Sequence, residues 1–261
     1  GWWGVWGGGV GGGGGGGGGN LKGLKYGDLG EATIIVGDPG RVELISQDWR
    51  DKKKLVDSRE FVVVSGLWKN HLVSICSTGI GSGSTEIAVT ELIENGAKKI
   101  VRCGGCGAWV DGIAPGDLII NNGMARTTGM LGAYVSDNYP AVANPLLTFA
   151  IINKAEQAGF KTHTGIGLTS ETYYFGQGRT PNISTALSVK KEYMDYWTDR
   201  NILNCEMETA VLFLLGSLYN IPVANCLVVH VSRKNERWAN DEDYQRIHKA
   251  ASEVVLSCLV E

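Results

Sequence analysis

The sequence Ile34-Ile35-Val36-Gly37-Asp38-Pro39-Gly40-Arg41 passes from a short apolar run into a turn that ends on an arginine. Isoleucine and valine favour strands because their branched side chains are stiff. Gly37 and Gly40 let backbone N–H groups approach a ligand closely, and Arg41 adds a planar charged group suited to phosphate. The stretch predicts a strand followed by an anion site, and a surface hairpin with a solvated arginine fits the same residues.

Apolar runs of this kind recur along the chain and alternate with helical patterns. Such alternation predicts an α/β sheet covered by helices on both faces, with ligands at the carboxyl ends of its strands. The predicted strands are residues 33–36, 61–65, 72–76, 99–103, 117–121 and 224–229. The predicted helices are residues 84–95, 145–158, 207–219 and 241–260.

Composition separates the chain into two parts. Residues 1–19 are mostly glycine, which cannot pack a core, so we interpret them as an artefact or a disordered segment and assign residues 20–261 to one domain.

The formal net charge of −3, with scattered basic residues, argues against nucleic acid and membrane partners and favours a small-molecule ligand. Every apolar run is shorter than the ~20 residues that span a bilayer. Six cysteines without a secretory signal indicate the reducing cytoplasm.

Two further glycine-rich segments have the character of anion sites. Residues 78–84, Thr-Gly-Ile-Gly-Ser-Gly-Ser, lie between a predicted strand and a helix N-terminus, and their spacing lacks the full GxGxxG of a dinucleotide site. Arg102 ends a predicted strand beside glycine-rich backbone, which suits phosphate, and a pairing with a surface carboxylate is compatible with the same residues.

Cys103 and Cys106 have the Cys-x-x-Cys spacing of one half of a zinc site. No second pair of ligands with such spacing follows, so we interpret them as packed side chains.

Two carboxylates, Glu206 and Glu208, lie at the start of the predicted helix 207–219. Acidic residues in a first helical turn are favoured by the helix dipole, so simple capping is one interpretation. A carboxylate can also accept hydrogen bonds from both hydroxyls of a vicinal diol, and ribose is such a diol. The pattern is therefore compatible with a sugar site.

Five short motifs follow one another along the chain. They are Gly-Asp-Pro-Gly-Arg at 37–41, Ser-Arg-Glu-Phe at 58–61, Ser-Thr-Gly-Ile-Gly at 77–81, Arg-Cys-Gly-Gly-Cys-Gly-Ala at 102–108 and Glu-Met-Glu at 206–208. In this order they resemble the nucleoside phosphorylases of the uridine and hexameric-type purine phosphorylase family. The resemblance runs from residue 20 to the C-terminus. It implies a three-layer αβα single domain with a central mixed β-sheet, and a pentosyltransferase that needs inorganic phosphate as co-substrate and no cofactor.

Residues 171–179, Glu-Thr-Tyr-Tyr-Phe-Gly-Gln-Gly-Arg, are similar to the segment that reads uracil in the pyrimidine branch of this family. Gln177 can both donate and accept hydrogen bonds, and Arg179 donates to carbonyl oxygens. With Tyr173 they are the expected base-binding residues. Arg233 matches an arginine that stabilises charge on the departing base, and residues 228–233 lack the aspartate with which purine-directed relatives protonate their base. The resemblance therefore implies cleavage of uridine in pyrimidine salvage, with deoxyuridine and thymidine left open.

The resemblance also assigns the rest of the site. Phosphate is expected at Gly37, Arg41, Arg102 and Gly105, with Arg59 reaching across from a neighbouring subunit. Ribose is expected at Met207, Glu208 and Arg59, with Glu208 and Arg233 as the catalytic residues. A homodimer with shared active sites follows, and higher assembly stays open. Glu60, Ile80 and Ser84 match positions that hold a metal ion at the dimer interface of some relatives, which leaves an interface ion open.

The chain departs from the family pattern at two places. Gly105 stands where relatives have a threonine that contacts phosphate and ribose, so we expect the backbone or a water molecule to substitute for its hydroxyl. Residues 20–24, Asn-Leu-Lys-Gly-Leu, lack the histidine that relatives present to the neighbouring ribose. Two other interpretations therefore stay open: a purine-directed phosphorylase or nucleosidase of the same fold, and a nucleoside-binding protein without catalysis.

Overall fold

A computed structural model describes residues 19–183 and 191–260, so all but the last residue of the glycine-rich segment predicted for 1–19 lies outside the described residues. Strands and helices alternate along most of the chain. The strands are β1 Ala32–Val36, β2 Arg50–Ser58, β3 Phe61–Trp68, β4 His71–Ser77, β5 Lys99–Ala108, β6 Leu118–Thr127, β7 Ala141–Val142, β8 Thr162–Ser170, β9 Asn204–Glu206, β10 Val223–Ser232 and β11 Arg237–Trp238. The helices are α1 Pro39–Ser46, α2 Ser82–Glu94, α3 Pro145–Gln157, α4 Lys191–Thr198, α5 Thr209–Tyr219 and α6 Asp241–Val260.

The strands form one mixed sheet in the order β11-β10-β6-β8-β9-β5-β1-β4-β3-β2, and β7 adds to β6. β1 pairs in parallel with both β4 and β5, which places the turns that follow these strands along one edge. β5 also pairs with β10, so β5, β10, β6, β8 and β9 close into a ring. Loops from several strands consequently meet at the carboxyl end of β5.

Helices cover both faces of the sheet. Alternate residues of β1 point to opposite faces: Ile34 packs in a core with α1, α3 and α6, and Ile35 packs in a second core with α2 and α5. The described residues therefore confirm the predicted single-domain, three-layer αβα arrangement around a central mixed sheet.

Several elements differ from their predicted bounds. The turn after β1 opens helix α1, because Asp38 caps the helix by accepting a hydrogen bond from the Gly40 N–H (2.8 Å) and Pro39 occupies the first turn. The hairpin interpretation of this turn is therefore wrong. Helix α5 begins at Thr209 rather than at residue 207, since residues up to Glu206 continue as strand β9. Strand β8 was missed because its first half is polar and partly exposed, with no apolar run.

Two further observations concern the state of the cysteines and the length of the helices. All six cysteines are free thiols, and Cys103 and Cys106 are buried in β5. Burial raises the pKa of the Cys103 thiol to about 12, so it stays protonated. Within the described residues, no helix has the length and apolar character needed to cross a bilayer.

Candidate active site

A cavity of about 630 Å³ opens at the carboxyl ends of β1, β4, β5 and β10. This volume lies within the range of small-molecule sites. Its lining comes from six parts of the chain: Gly37, Asp38, Pro39 and Arg41; Gly79 and Ile80; Arg102, Gly105, Cys106 and Gly107; Tyr173, Gln177 and Arg179; Cys205, Glu206, Met207 and Glu208; and His230, Val231, Trp238 and Tyr244. The fold thus brings together residues that are far apart in the sequence.

Two glycine turns form one wall of the cavity. The Gly79 N–H donates to the Gly37 carbonyl (3.0 Å), so the turns after β1 and β4 lie side by side. Gly79 has a φ of +70°, a left-handed conformation that favours glycine. Gly37 lies immediately before the capped N-terminus of α1, where backbone N–H groups and the helix dipole favour an anion.

Arg102 and two carboxylates form a buried cluster on the floor of the cavity. Arg102 Nε donates to Glu206 Oε2 (3.0 Å), and Arg102 Nη2 donates to Glu208 Oε2 (2.5 Å). All three side chains are at most 5% exposed. The surface-carboxylate interpretation of Arg102 is therefore wrong: its partners are buried carboxylates beside the cavity.

The two carboxylates have different surroundings. Glu206 accepts hydrogen bonds from the Thr169 and Thr209 hydroxyls (2.6 and 2.8 Å) and from the N–H groups of Glu208 and Thr209 (2.9 and 2.8 Å). It therefore fixes the start of α5. Glu208 accepts from the Gly81 N–H (2.8 Å) and the Met207 N–H (3.2 Å) as well as from Arg102. Burial raises the pKa of Glu208, while Arg102 opposes the shift. With fewer protein donors, Glu208 is the carboxylate with capacity for a ligand.

Two buried donors belong to arginines that line this cavity. Among the described residues, neither Arg102 Nη1 nor Arg41 Nε has a hydrogen-bond partner, and both atoms are buried. The Arg41 guanidinium lies 5.3 Å from the ring centroid of Tyr244, and both residues line the cavity. Buried N–H groups without partners are costly, so these two arginines have donor capacity that an anion would satisfy.

Gln177 and Arg179 lie together at another side of the cavity. Arg179 Nη1 donates to Gln177 Oε1 (2.6 Å), which fixes the orientation of the Gln177 amide and leaves its NH₂ group for a ligand. The Arg179 guanidinium also lies 4.2 Å from the centroid of the Tyr173 ring. Burial and the nearby Arg233 lower the pKa of Arg179. Three of the four predicted base-binding residues, Tyr173, Gln177 and Arg179, are thus a contiguous group, and Arg233 is the fourth.

Arg233 is placed differently from the other predicted site residues. Its Nη1 donates to the Gln177 carbonyl (2.8 Å) and its Nε to Glu236 Oε1 (2.8 Å), and it does not belong to the cavity lining. In this geometry Arg233 anchors the turn that carries Gln177. Its contact with a departing base stays a prediction.

The predicted interface residues lie beside the turn after β4. Arg59 is exposed in the tight turn between β2 and β3, with a φ of +57°, and does not line the cavity of its own chain. Ser84 Oγ lies 3.5 Å from the Ile80 carbonyl oxygen. The Glu60 side chain abuts Gly79, because a β-carbon built on Gly79 would lie 2.8 Å from Glu60 Cγ.

A family model described as the phosphorylase superfamily matches residues 31–260. The chain belongs to this superfamily. It is 36% identical over 209 residues to a uridine phosphorylase of Thermococcus kodakarensis, covering 80% of this chain and 76% of the relative. It is 34% identical over 190 residues to a guanosine phosphorylase of Halorubrum lacusprofundi, covering 73% of each. A crystal structure of uridine phosphorylase from Vibrio fischeri ES114 has a TM-score of 0.79 at 29% identity, covering 91% of this chain and 95% of that one.

Three aromatic residues of this phosphorylase-superfamily cavity were missed by sequence reasoning: His230, Trp238 and Tyr244. The His230 ring stacks on Tyr244 (centroids 4.2 Å apart, planes at 17°) and meets Trp238 edge-on (5.2 Å). Burial and Arg41 lower the pKa of His230. No local motif marks these residues, because each lies in an ordinary strand or helix pattern.

Proposed function

We propose that this protein catalyses the reversible phosphorolysis of uridine to uracil and ribose 1-phosphate. The observation that carries the proposal is one cavity that combines buried arginine donors without partners, a carboxylate with spare acceptor capacity, and an amide–guanidinium pair. These groups match phosphate, the ribose diol and the uracil edge, respectively. The names of the relatives from Thermococcus and Vibrio support the choice of uridine.

The reaction breaks the bond between C1′ and uracil N1 and forms a bond from C1′ to a phosphate oxygen. Uracil leaves with the bonding electron pair and then takes up a proton. Positive charge develops on the ribose in between, so the protein has mainly to position the reactants and to stabilise charge. Gly37, Arg41 and Arg102 would hold phosphate, and Glu208 and Met207 would hold ribose.

Gln177 and Arg179 would select the base. Uracil presents two carbonyl oxygens and one N–H, which the paired amide and guanidinium can satisfy. A base that leaves the buried Gln177 amide or the partly buried Arg179 guanidinium without a partner loses affinity. The relative from Halorubrum is named for guanosine, so a purine nucleoside is the alternative to be tested.

One chromatographic assay separates the candidates. Uridine, thymidine, inosine, guanosine and methylthioadenosine are each incubated with and without phosphate. We expect uracil release from uridine that depends on phosphate. Phosphate-dependent release of guanine or hypoxanthine at a higher rate would identify a purine phosphorylase, and adenine release without phosphate would identify a nucleosidase. Uridine binding without turnover of any substrate would identify a binding protein.

We further propose that the site is completed in a homodimer by Arg59 of the second subunit. Support comes from the exposure of Arg59, which is not part of the lining of its own cavity, while the adjacent Glu60 abuts Gly79, a lining residue. An arginine supplied by a neighbour would add a third cation beside Arg41 and Arg102.

Combining two differently substituted subunits in one dimer tests whether the active site is shared between subunits. Arg59→Ala and Arg41→Ala proteins are each expected to lose most of their activity. Co-expression should restore about a quarter of the wild-type activity, because a mixed dimer keeps one site with both arginines intact. The measurement is phosphate-dependent uracil release by the purified mixture. A mixture no more active than the mean of its parents, or a fully active Arg59→Ala protein, would contradict the shared site.

An ion at the dimer interface fits the same region. The Glu60 carboxylate, the Ile80 carbonyl and the Ser84 hydroxyl offer only oxygen ligands, which suit a hard cation rather than a transition metal. Across residues 19–183 and 191–260, no group of three His, Cys, Asp or Glu side chains forms another candidate metal site. We propose no catalytic step for this ion.

A further inference from the structure

Gly105 leaves a space in β5 that another residue fills. A β-carbon built on residue 105 would lie 2.0 Å from Tyr244 Oη and 3.3 Å from Tyr244 Cζ. Contacts below 3.0 Å are not tolerated, so the Tyr244 hydroxyl in this position and a side chain at residue 105 exclude each other. The hydroxyl therefore stands where the side chain of residue 105 would begin.

The Tyr244 ring is held on two sides. It lies near the N-terminus of α6, is 4% exposed, stacks on His230 (4.2 Å) and meets His248 edge-on (4.4 Å, planes at 88°). Aromatic contacts of this geometry stabilise a fixed ring orientation. Because the hydroxyl is rigidly attached to the ring, its position is fixed as well.

The hydroxyl lies on the phosphate side of the cavity. Tyr244 and Gly105 line the cavity together with Arg41 and Arg102, the two arginines with unused buried donors. Burial raises the pKa of Tyr244, partly opposed by Arg41, so the group remains an O–H donor at neutral pH. An O–H donor beside two cations is suited to an anion with several acceptor oxygens.

We propose that the Tyr244 hydroxyl donates a hydrogen bond to the bound phosphate, supplying from α6 the hydroxyl that Gly105 cannot supply from β5. The assignment rests on the proposed phosphorolytic function. It differs from the sequence-based expectation that the backbone or water takes over, because the space beside Gly105 already contains a protein hydroxyl.

The first test removes only the hydroxyl. Tyr244→Phe keeps the ring and its contacts, so the unfolding temperature without phosphate should stay unchanged. The Kd of inorganic phosphate, measured by titration calorimetry without nucleoside, should rise about tenfold, the size expected for one hydrogen bond to a charged ligand. Tyr26→Phe is the matched control, because Tyr26 is exposed and does not line the cavity.

The second test moves the hydroxyl back to β5. Gly105→Thr alone should weaken phosphate binding, since its β-carbon displaces the Tyr244 hydroxyl. The double variant Tyr244→Phe with Gly105→Thr removes the 2.0 Å clash, leaves a close contact of 3.3 Å to Cζ of the ring, and returns a hydroxyl to the same space. It should bind phosphate more tightly than either single variant. Loss of packing alone would make the two substitutions together at least as harmful to phosphate binding as either one. Recovery of affinity in the double variant would instead show that the two hydroxyls occupy the same position.

The outcomes distinguish failure of the proposed function from failure of the proposed role of Tyr244. Wild-type protein that does not bind phosphate would overturn both the proposed function and the role of Tyr244. Wild-type protein that binds phosphate and a Tyr244→Phe protein with the same Kd would overturn the role of Tyr244 alone. If Tyr244→Phe unfolds at a lower temperature, its weaker phosphate binding could reflect lost packing, and the double variant is then the deciding measurement. A double variant that binds phosphate no more tightly than Gly105→Thr would contradict the proposal.

Discussion

Replacing Arg102 by methionine is expected to slow phosphorolysis strongly and to destabilise the protein at the same time. Arg102 is the cation that neutralises both Glu206 and Glu208 in a buried cluster. Its loss removes a proposed phosphate ligand, for which a rate decrease of about 10²–10³ is typical of a lost charge-stabilising donor. It also leaves two buried carboxylates without a counterion, which costs about 3–5 kcal/mol of unfolding free energy.

The stability defect of Arg102→Met should depend on pH in a defined direction. Burial already raises the pKa of Glu208, and Arg102 is the group that opposes this shift. A carboxyl whose pKa is higher in the folded than in the unfolded state destabilises the fold increasingly as pH rises and less as pH falls. The difference in unfolding free energy between wild type and variant should therefore shrink from pH 8 to pH 5.

Denaturant unfolding at several pH values measures this effect. Arg246→Met is the matched control, because Arg246 pairs with Asp243 on the surface of α6 with both side chains exposed. Its effect on stability should be below about 1 kcal/mol at every pH. An Arg102→Met protein as stable as this control at pH 8, or one that retains phosphate-dependent activity, would contradict the assigned role.

The second large effect is expected at Arg179. Arg179→Met removes a proposed donor to uracil and releases the Gln177 amide from its orienting hydrogen bond. If this guanidinium also stabilises charge on the departing base, kcat/KM for uridine should fall about 10²–10³-fold. The Kd of phosphate should stay close to that of the wild type, because Arg179 lies in the base-binding group rather than beside Arg41.

Arg200→Met serves as the control for Arg179→Met. The Arg200 guanidinium also lies over a tyrosine ring, 3.7 Å from the centroid of Tyr196, but it does not line the cavity. This variant should keep the kinetic constants of the wild type. Equal losses in the two variants, or a loss of phosphate affinity in Arg179→Met, would show that Arg179 does not act at the base.

Elements with a strong local pattern could be predicted from the sequence. The strand at Ile34 and the helices at 145–158 and 241–260 have clear apolar patterns, and they are present within about a residue of the expected bounds. Asn144 and Pro145 add a capping signal to the first of these helices. The turn ending at Arg41 was also recognised as a candidate anion site. The structure adds that it opens helix α1, since Asp38 caps a helix there.

Other features depend on contacts that no local pattern encodes. Glu206 and Glu208 are equivalent in the sequence, but only Glu206 is saturated by threonine hydroxyls and backbone N–H groups from β8 and α5. Arg233 donates to the carbonyl of Gln177, a contact between distant segments that the sequence pattern at 228–233 does not reveal. Tyr244 is one aromatic residue in a helix pattern, and its relation to Gly105 exists only after β5 and α6 pack together.

The central claim is that phosphate, and not water, attacks the ribose of uridine in this cavity. The most direct test is turnover of uridine with unlabelled phosphate in ¹⁸O-enriched water, followed by mass spectrometry of the sugar product. We expect ribose 1-phosphate without ¹⁸O, formed in equal amount to uracil and only when phosphate is present. Free ribose carrying ¹⁸O would show attack by water and would contradict the account.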